Sequence, residues 1–189
     1  MLEERRLARA LQAVALVPRK GVFHRYVLHR WVAQARERGA PAHILSGYWS
    51  RRTGGRFNPP NEHRTVYVAL DPLTAQVEGE QIEAPYVHVP IRGRLSRVLD
   101  LTRAEVLEQL GTSADELARE WRLANAHGVV TPSQRLGRSA YRACRIEAMA
   151  YFSTVRDGGV CLAVFPDRLR SGSWLEIADP DGVLRERVP

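Results

Sequence analysis

The centre of the chain carries three short segments that decide the fold: GGRFN at 54–58, VYVA at 66–69 and DPLTAQVE at 71–78. The β-branched and aromatic residues of the second segment predict a strand. Asp71 followed by Pro72 predicts the start of a helix, because an aspartate cap with proline at the first helical position is a common helix N-terminus. We expect this helix to run to about residue 80, so the block reads as glycine loop, strand and helix.

The rest of the chain mixes helices and strands without strict alternation. We predict an N-terminal helix within residues 1–20, an irregular segment at 29–64 and strands at 22–28, 86–91, 95–101, 148–152, 160–165 and 174–177. Capping patterns predict further helices from Thr102, from Ser113 to Ala124 with Trp121 in the core, and from Thr131. This order predicts an α+β fold, with residues 1–20 as an N-terminal helix on a single domain at 21–189.

Composition excludes several classes of protein. The 189 residues are 44% apolar and 26% charged, which is enough to build a core without disulfides. Cys144 and Cys161 are far apart and fit thiols in or near the core. No apolar run approaches the length of a membrane span. The N-terminal segment is too short and too charged for a signal sequence, so we expect a cytoplasmic protein.

The basic charge gives little indication of a nucleic-acid site. The net charge is +7, and Lys20 is the only lysine among 28 basic residues. The arginines are scattered along the chain, whereas a nucleic-acid groove concentrates them on one face with aromatic residues between them. We therefore expect no direct nucleic-acid partner, although the surface will attract small anions.

Familiar catalytic signatures are absent, and the informative residues lie in the central block. The sequence has no GxGxxG, P-loop or HExxH motif, and its histidines have no metal-ligand spacing, so we expect no metal. Gly54 and Gly55 allow a loop to approach a ligand closely, where Arg56 and Asn58 would fix it. Glu78 lies two turns into the helix and can face inward.

The three segments, in this order and spacing, resemble the RES domain family, named for arginine, glutamate and serine. Members carry a G-G-R-[FW]-N loop, a [VL]-Y-[LV]-A strand and a D-P-x-x-A-x-x-E helix. The resemblance extends to His24-Arg25-Tyr26 upstream and to Tyr151-Phe152-Ser153 downstream, and it covers residues 20–170. Three features depart from the family pattern: Phe152 replaces a proline, the segment between Trp31 and Trp49 is long and basic, and Cys161 takes a place often held by a polar residue.

The resemblance implies an ADP-ribosyltransferase-like fold, a mixed β core with flanking helices, that binds and consumes NAD without a metal. It implies that Glu78 stabilises the ribosyl cation or binds the 2′-hydroxyl, that Arg25 holds the pyrophosphate or ribose edge, and that Ser153 holds Glu78 or the nicotinamide carboxamide. Substrate contacts are expected from Tyr26, Gly55, Arg56, Asn58 and Tyr67. Read without the family, the two tyrosines fit core aromatics equally well, and Arg56 and Asn58 fit residues that order their own loop.

The expected function is cleavage of the nicotinamide–ribose bond of NAD, with inorganic phosphate or water as acceptor, by the toxin of a bacterial toxin–antitoxin pair. Family members are typically paired with a helix-turn-helix antitoxin. Two alternatives remain open: an ADP-ribosyltransferase acting on a protein, and a non-enzymatic module that binds a nucleotide or a partner.

Overall fold

The computed structural model describes residues 1–38, 43–79, 85–179, 182 and 184–189. The strands are β1 (Val17–Leu28), β2 (Val66–Ala69), β3 (Tyr86–Asp100), β4 (Ala148–Phe152), β5 (Val160–Val164), β6 (Trp174–Ile177) and β7 (Arg187–Val188). The α-helices are α1 (Glu4–Ala13), α2 (His29–Arg38), α3 (Tyr48–Thr53), α4 (Pro72–Gly79), α5 (Ala104–Gln109), α6 (Ala114–Leu117), α7 (Trp121–Ala126) and α8 (Pro132–Arg142). A short 3₁₀ helix covers Pro166–Arg168.

The described strands form one sheet in the order β1-β2-β5-β4-β3-β6-β7, and β1 also pairs with β3. This extra pairing closes the first five strands into a ring, from which β6 and β7 extend. Strand β3 is long enough to serve three neighbours: it pairs with β1 along most of its length, with β6 at Ile91–Arg94 and with β4 at Val98–Asp100. Only the β3–β4 pairing is parallel among the described strands.

Alternation along the strands separates two apolar clusters, as the pleat requires. In β5, Leu162 and Val164 join one cluster, whereas Cys161 and Ala163 join the other. The second cluster also receives Leu7 and Leu11 of α1, which packs against α8. Helices therefore cover the sheet face on which Cys161 lies.

The start of α4 forms as the sequence predicts. Asp71 Oδ1 accepts a hydrogen bond from Thr74 N at 2.9 Å, and Asp71 Oδ2 accepts one from Thr74 Oγ1 at 2.6 Å. Helix α8 begins with the predicted capping box, in which Thr131 and Gln134 each accept from the other's backbone N–H. The expected end of α4 near residue 80 lies outside the described residues.

Two predicted segments are wrong. Residues 29–64 are not wholly irregular, since α2 and α3 form there. The strands predicted at 86–91 and 95–101 are a single strand, because β1 pairs across the intervening glycine, with Gly21 opposite Gly93. Phe23 and Leu175 pack where a side chain on Gly93 would lie, so the glycine serves packing and not a turn.

Four further expectations need correction. The helix predicted over 113–124 is two helices, because Glu120 accepts a hydrogen bond from Arg122 N at 2.6 Å and caps a new helix. Trp121 is therefore half-buried and not a core residue. Thr102 does not cap α5; its hydroxyl donates to Asp100 Oδ1 instead. Cys144 is exposed, whereas Cys161 is buried as expected.

Candidate active site

A cavity of about 310 Å³ lies on the helix-covered side of the sheet. Its wall combines side chains of β1, β2, β4 and β5 with the 54–56 loop and parts of α2, α3, α4 and α7. Six of the residues predicted for the site line it: Arg25, Tyr26, Gly55, Arg56, Tyr67 and Glu78. Ser153 and Asn58 lie behind this wall, in contact with residues that form it.

Glu78 and Ser153, which are 75 positions apart in the chain, meet at one carboxylate oxygen. Ser153 Oγ donates to Glu78 Oε1 at 2.7 Å. The same Oγ accepts from the backbone N–H groups of Val155 and Arg156, at 3.2 and 3.1 Å. Because these donors occupy the hydroxyl's acceptor sites, its proton is directed at the carboxylate. Within the described chain, the other oxygen of Glu78 has no hydrogen-bond partner and remains open to a ligand.

A second contact ties the loop that carries Ser153 to the helix that carries Glu78. Arg156 Nη1 donates to Thr74 Oγ1 at 2.7 Å and to Asp71 Oδ2 at 3.2 Å. Burial acts to raise the pKa of Asp71, but the hydrogen bonds from Thr74 and the charge of Arg156 outweigh it and lower that pKa. The N-terminus of α4 is thus attached to the loop that follows β4.

The glycine loop is held by the tyrosine of β2. The Tyr67 hydroxyl accepts from Phe57 N at 2.9 Å and donates to Asn58 Oδ1 at 2.7 Å. Asn58 is fully buried, and its Nδ2 donates to Ser50 O at 2.7 Å. Burial raises the pKa of Tyr67 well above its usual value, so this phenol stays protonated. Gly55 lies so close to the ring that a Cβ atom there would be 2.6 Å from the Tyr67 hydroxyl.

Arg56 extends across the base of the cavity. Its Nε donates to Leu117 O at 3.0 Å and its Nη1 to Phe152 O at 2.9 Å. The guanidinium lies 4.8 Å from the centre of the Tyr151 ring, a cation–π distance. These contacts fix the guanidinium next to the cavity, and no carboxylate of the described residues forms an ion pair with it.

Arg25 brings a second positive charge to the wall from β1. Its Nη1 donates to Ile44 O at 2.6 Å. Burial lowers the pKa of Arg25 to about 10, against the attraction of Glu186, so it remains charged at neutral pH. Tyr26 follows on β1 and packs against Gly79, where a Cβ atom would lie 2.8 Å from the tyrosine Cβ. This close approach brings the end of α4, with Glu78, next to β1.

Sequence reasoning missed an aromatic side of the cavity. Trp31 of α2 and Trp49 of α3 both line it, and their rings stack with centres 5.5 Å apart and planes 11° apart. Trp121 of α7 lines it too, so three of the chain's four tryptophans surround one cavity. The sequence signal that could have indicated this aromatic side is the presence of Trp31 and Trp49 at the two ends of the long, basic segment.

A histidine pair also borders the cavity. His24, which the sequence did not indicate as a site residue, lines the wall, and its Nδ1 lies 3.0 Å from His88 Nε2. Burial and the neighbouring His88 lower the pKa of His24. The described residues contain no group of three or more histidine, cysteine, aspartate or glutamate side chains that could hold a metal ion. None of the described helices is long and apolar enough to span a membrane.

A sequence model of the RES domain matches residues 27–182, most of the chain. The chain belongs to the RES domain family. Arg25 and Tyr26 stand just before the matched range, whereas Glu78 and Ser153 fall inside it. The resemblance first read from the GGRFN loop, the β2 strand and the α4 helix is thereby confirmed.

A solved structure agrees with this assignment. The chain is 25% identical to a chain of the crystal structure of the M. tuberculosis MbcT–MbcA toxin–antitoxin complex, with a TM-score of 0.66, and the match covers 97% of this chain and 91% of that one. The match confirms the predicted α+β fold with an ADP-ribosyltransferase-like mixed β core. No curated protein matches the sequence.

Proposed function

We propose that this protein is an NAD-consuming enzyme of the RES type, and that it acts as the toxin of a toxin–antitoxin pair. It cleaves the bond between nicotinamide and ribose, with phosphate or water as acceptor. Family membership and the likeness to a chain of a toxin–antitoxin complex support the general class. The observation that carries the proposal is the Glu78 carboxylate, fixed through one oxygen and open to the cavity through the other.

Glu78 supplies the main stabilisation of the transition state in this proposal. Loss of nicotinamide builds positive charge on the ribose C1′, as in glycoside cleavage. A carboxylate held beside the ribose offsets that charge or binds the 2′-hydroxyl, and it needs no reorganisation because Ser153 already fixes one oxygen. Ser153 is then a positioning residue: its hydroxyl proton points at Glu78 and not into the cavity.

The two arginines of the wall bind the pyrophosphate. NAD carries two negative phosphates, and a guanidinium binds such oxygens with planar, bidentate geometry. Neither Arg25 nor Arg56 has an ion-pair partner among the described residues. Their charge is therefore available to an anionic ligand.

Aromatic rings hold the two bases. Tyr26 and Tyr67 present partly exposed faces at the cavity wall, and Trp31 and Trp49 form the more open aromatic side. We assign nicotinamide to the tyrosines, near Glu78, and adenine to the tryptophans, because flat rings stack on such faces. Gly55 lets the loop lie against Tyr67, and Asn58 acts from the interior by fixing that loop.

Two further parts of the proposal are the acceptor of the ADP-ribosyl group and the protein partner. The net charge of +7 attracts inorganic phosphate to the protein, which favours phosphorolysis over hydrolysis. We infer that an antitoxin binds the protein, and the likeness to a chain of a toxin–antitoxin complex supports this partner. That the antitoxin is a helix-turn-helix protein and that the pair acts in a bacterial cytoplasm are expectations from the family resemblance.

Incubation of the purified protein with NAD, with nicotinamide and the ribosyl product identified by mass, tests the reaction. Glu78→Gln should lower turnover by about 100-fold, the scale of one lost transition-state electrostatic contact. Glu105→Gln is the control, because Glu105 is an exposed carboxylate that pairs with Arg103 and does not line the cavity. A folded Glu78→Gln protein with wild-type turnover would exclude the assignment.

The product of the incubation shows whether the protein is a phosphorylase, a hydrolase, a transferase or a binding module. ADP-ribose-1″-phosphate, with a rate that rises with phosphate at matched ionic strength, supports phosphorolysis, and free ADP-ribose at a constant rate supports hydrolysis. ADP-ribose attached to a protein band identifies a transferase. Binding of NAD without release of nicotinamide identifies a non-enzymatic module.

A further inference from the structure

The turn at residues 44–45 connects the cavity to the last part of the chain. Ile44 and Leu45 are buried, and both of their backbone N–H groups point at one carboxylate. Glu186 Oε2 accepts from Ile44 N at 2.7 Å, and Glu186 Oε1 accepts from Leu45 N at 2.8 Å. Two short charge-assisted hydrogen bonds from consecutive amides fix this turn, and such bonds are about twice as strong as neutral ones.

The same turn holds the guanidinium of Arg25. The carbonyl of Ile44 accepts from Arg25 Nη1 at 2.6 Å, while the amide of Ile44 donates to Glu186. Arg25 therefore reaches Glu186 through a single residue. The negative charge of Glu186 also raises the pKa of Arg25 against the effect of burial, so the two groups interact electrostatically.

The sheet fixes Glu186 itself. Its carbonyl accepts from Ile177 N at 3.0 Å, and the following residue, Arg187, pairs with Glu176 of β6. The carboxylate is thus held by a strand on one side and by the 44–45 turn on the other. The range matched by the RES family ends at residue 182, so Glu186 lies beyond it.

We propose that Glu186 is a positioning residue for substrate binding: it fixes the 44–45 turn so that the Ile44 carbonyl orients the Arg25 guanidinium toward the cavity. The inference rests on the proposed function in one respect, that Arg25 binds the substrate. Because a misoriented Arg25 weakens binding of substrate and transition state alike, loss of Glu186 should raise the KM for NAD and leave kcat nearly unchanged.

The test compares Glu186→Gln and Glu186→Ala with the wild-type protein. Glutamine retains one acceptor oxygen but places an amide N–H against the second backbone donor, so both variants lose the two-bond arrangement. The matched control is Glu176→Gln, which removes a half-buried carboxylate from the neighbouring strand β6, where it pairs with Arg92. We expect the KM to rise about tenfold in both Glu186 variants and to stay at the wild-type value in the control.

Two further measurements separate positioning from a general loss of stability. Amide hydrogen exchange at residues 44 and 45, and the side-chain Nε–H resonance of Arg25, report the contacts without any substrate. In an Arg25→Lys background, loss of Glu186 should add less than a twofold change in KM, because the residue it orients has been replaced. Equal effects of Glu186→Ala in both backgrounds would overturn the proposal.

Three further results would each support or contradict the positioning role of Glu186. Faster exchange at 44–45 with an unchanged Arg25 resonance and unchanged KM would show that Glu186 stabilises the turn only. If the wild-type protein binds no NAD, the proposed function fails. A shifted Arg25 resonance in Glu186→Gln, absent from Glu176→Gln, would then still support positioning.

Discussion

Replacement of Ser153 by alanine tests whether the fixed orientation of Glu78 contributes to catalysis. The variant removes the 2.7 Å hydrogen bond to Glu78 Oε1 and leaves the N–H groups of Val155 and Arg156 without their acceptor. A hydrogen bond to a charged group contributes about 1.5–3 kcal/mol. If all of it acts in the transition state, turnover should fall by roughly 10- to 150-fold, since about 1.4 kcal/mol corresponds to a factor of ten. The assay is the steady-state rate of nicotinamide release.

Ser113→Ala is the matched control. Ser113 Oγ accepts from Glu116 N at 3.1 Å as the cap of α6, so this change also removes a hydroxyl that accepts a backbone N–H. It should lower the free energy of unfolding by about 1 kcal/mol and leave kcat unchanged. Ser153→Thr keeps the hydroxyl and should restore most of the activity. A Ser153→Ala protein with wild-type kcat and the same loss of stability as Ser113→Ala would refute the argument.

Two further substitutions test residues that line the cavity. Arg25→Lys keeps the charge but loses the planar fork, so calorimetry should show at least tenfold weaker NAD binding with little change in melting temperature; unchanged affinity would remove Arg25 from the site. Gly55→Ala places a Cβ atom 2.6 Å from the Tyr67 hydroxyl and should destabilise the protein by about 1–3 kcal/mol in denaturant unfolding. Gly55 does not have a positive φ, so this loss would report the close contact with Tyr67. Gly128→Ala is the contrasting variant, because a Cβ atom there has open space and the φ of +67° alone disfavours alanine.

The sequence correctly predicted helix starts and strands that depend only on residues close together in the chain. The Asp71-Pro72 cap, the Thr131 capping box and the strand at 66–69 depend on neighbouring residues, and all of them form. The α+β class and the RES assignment followed from three such segments in order. The meeting of Glu78 with Ser153 came only from the resemblance, because no local signal joins residues 75 positions apart.

What could not be predicted depends on partners distant in sequence. The single strand β3 contains Pro90 and Gly93, which locally favour a break, and it continues because β1 pairs along it. Helices α2 and α3 lie in a glycine- and proline-rich segment, where Trp31 and Trp49 gain from stacking on each other. The sequence left two roles open for Asn58, contact with a ligand or ordering of its own loop, and its hydrogen bond to the hydroxyl of Tyr67, nine positions away, could not be predicted from neighbouring residues.

The closed ring of strands limits how this cavity can exchange its contents. Strands β1, β2, β4 and β5, which carry Arg25, Tyr67, Tyr151 and Cys161, all belong to one continuous circuit of backbone hydrogen bonds. A hinge between two lobes would have to break that circuit, so the floor under the substrate moves as one piece. We therefore expect entry and release of the proposed substrate to depend on side chains outside the ring, such as the exposed Trp49 and Arg122, and substitutions there to change the rate of product release and not the rate of bond cleavage.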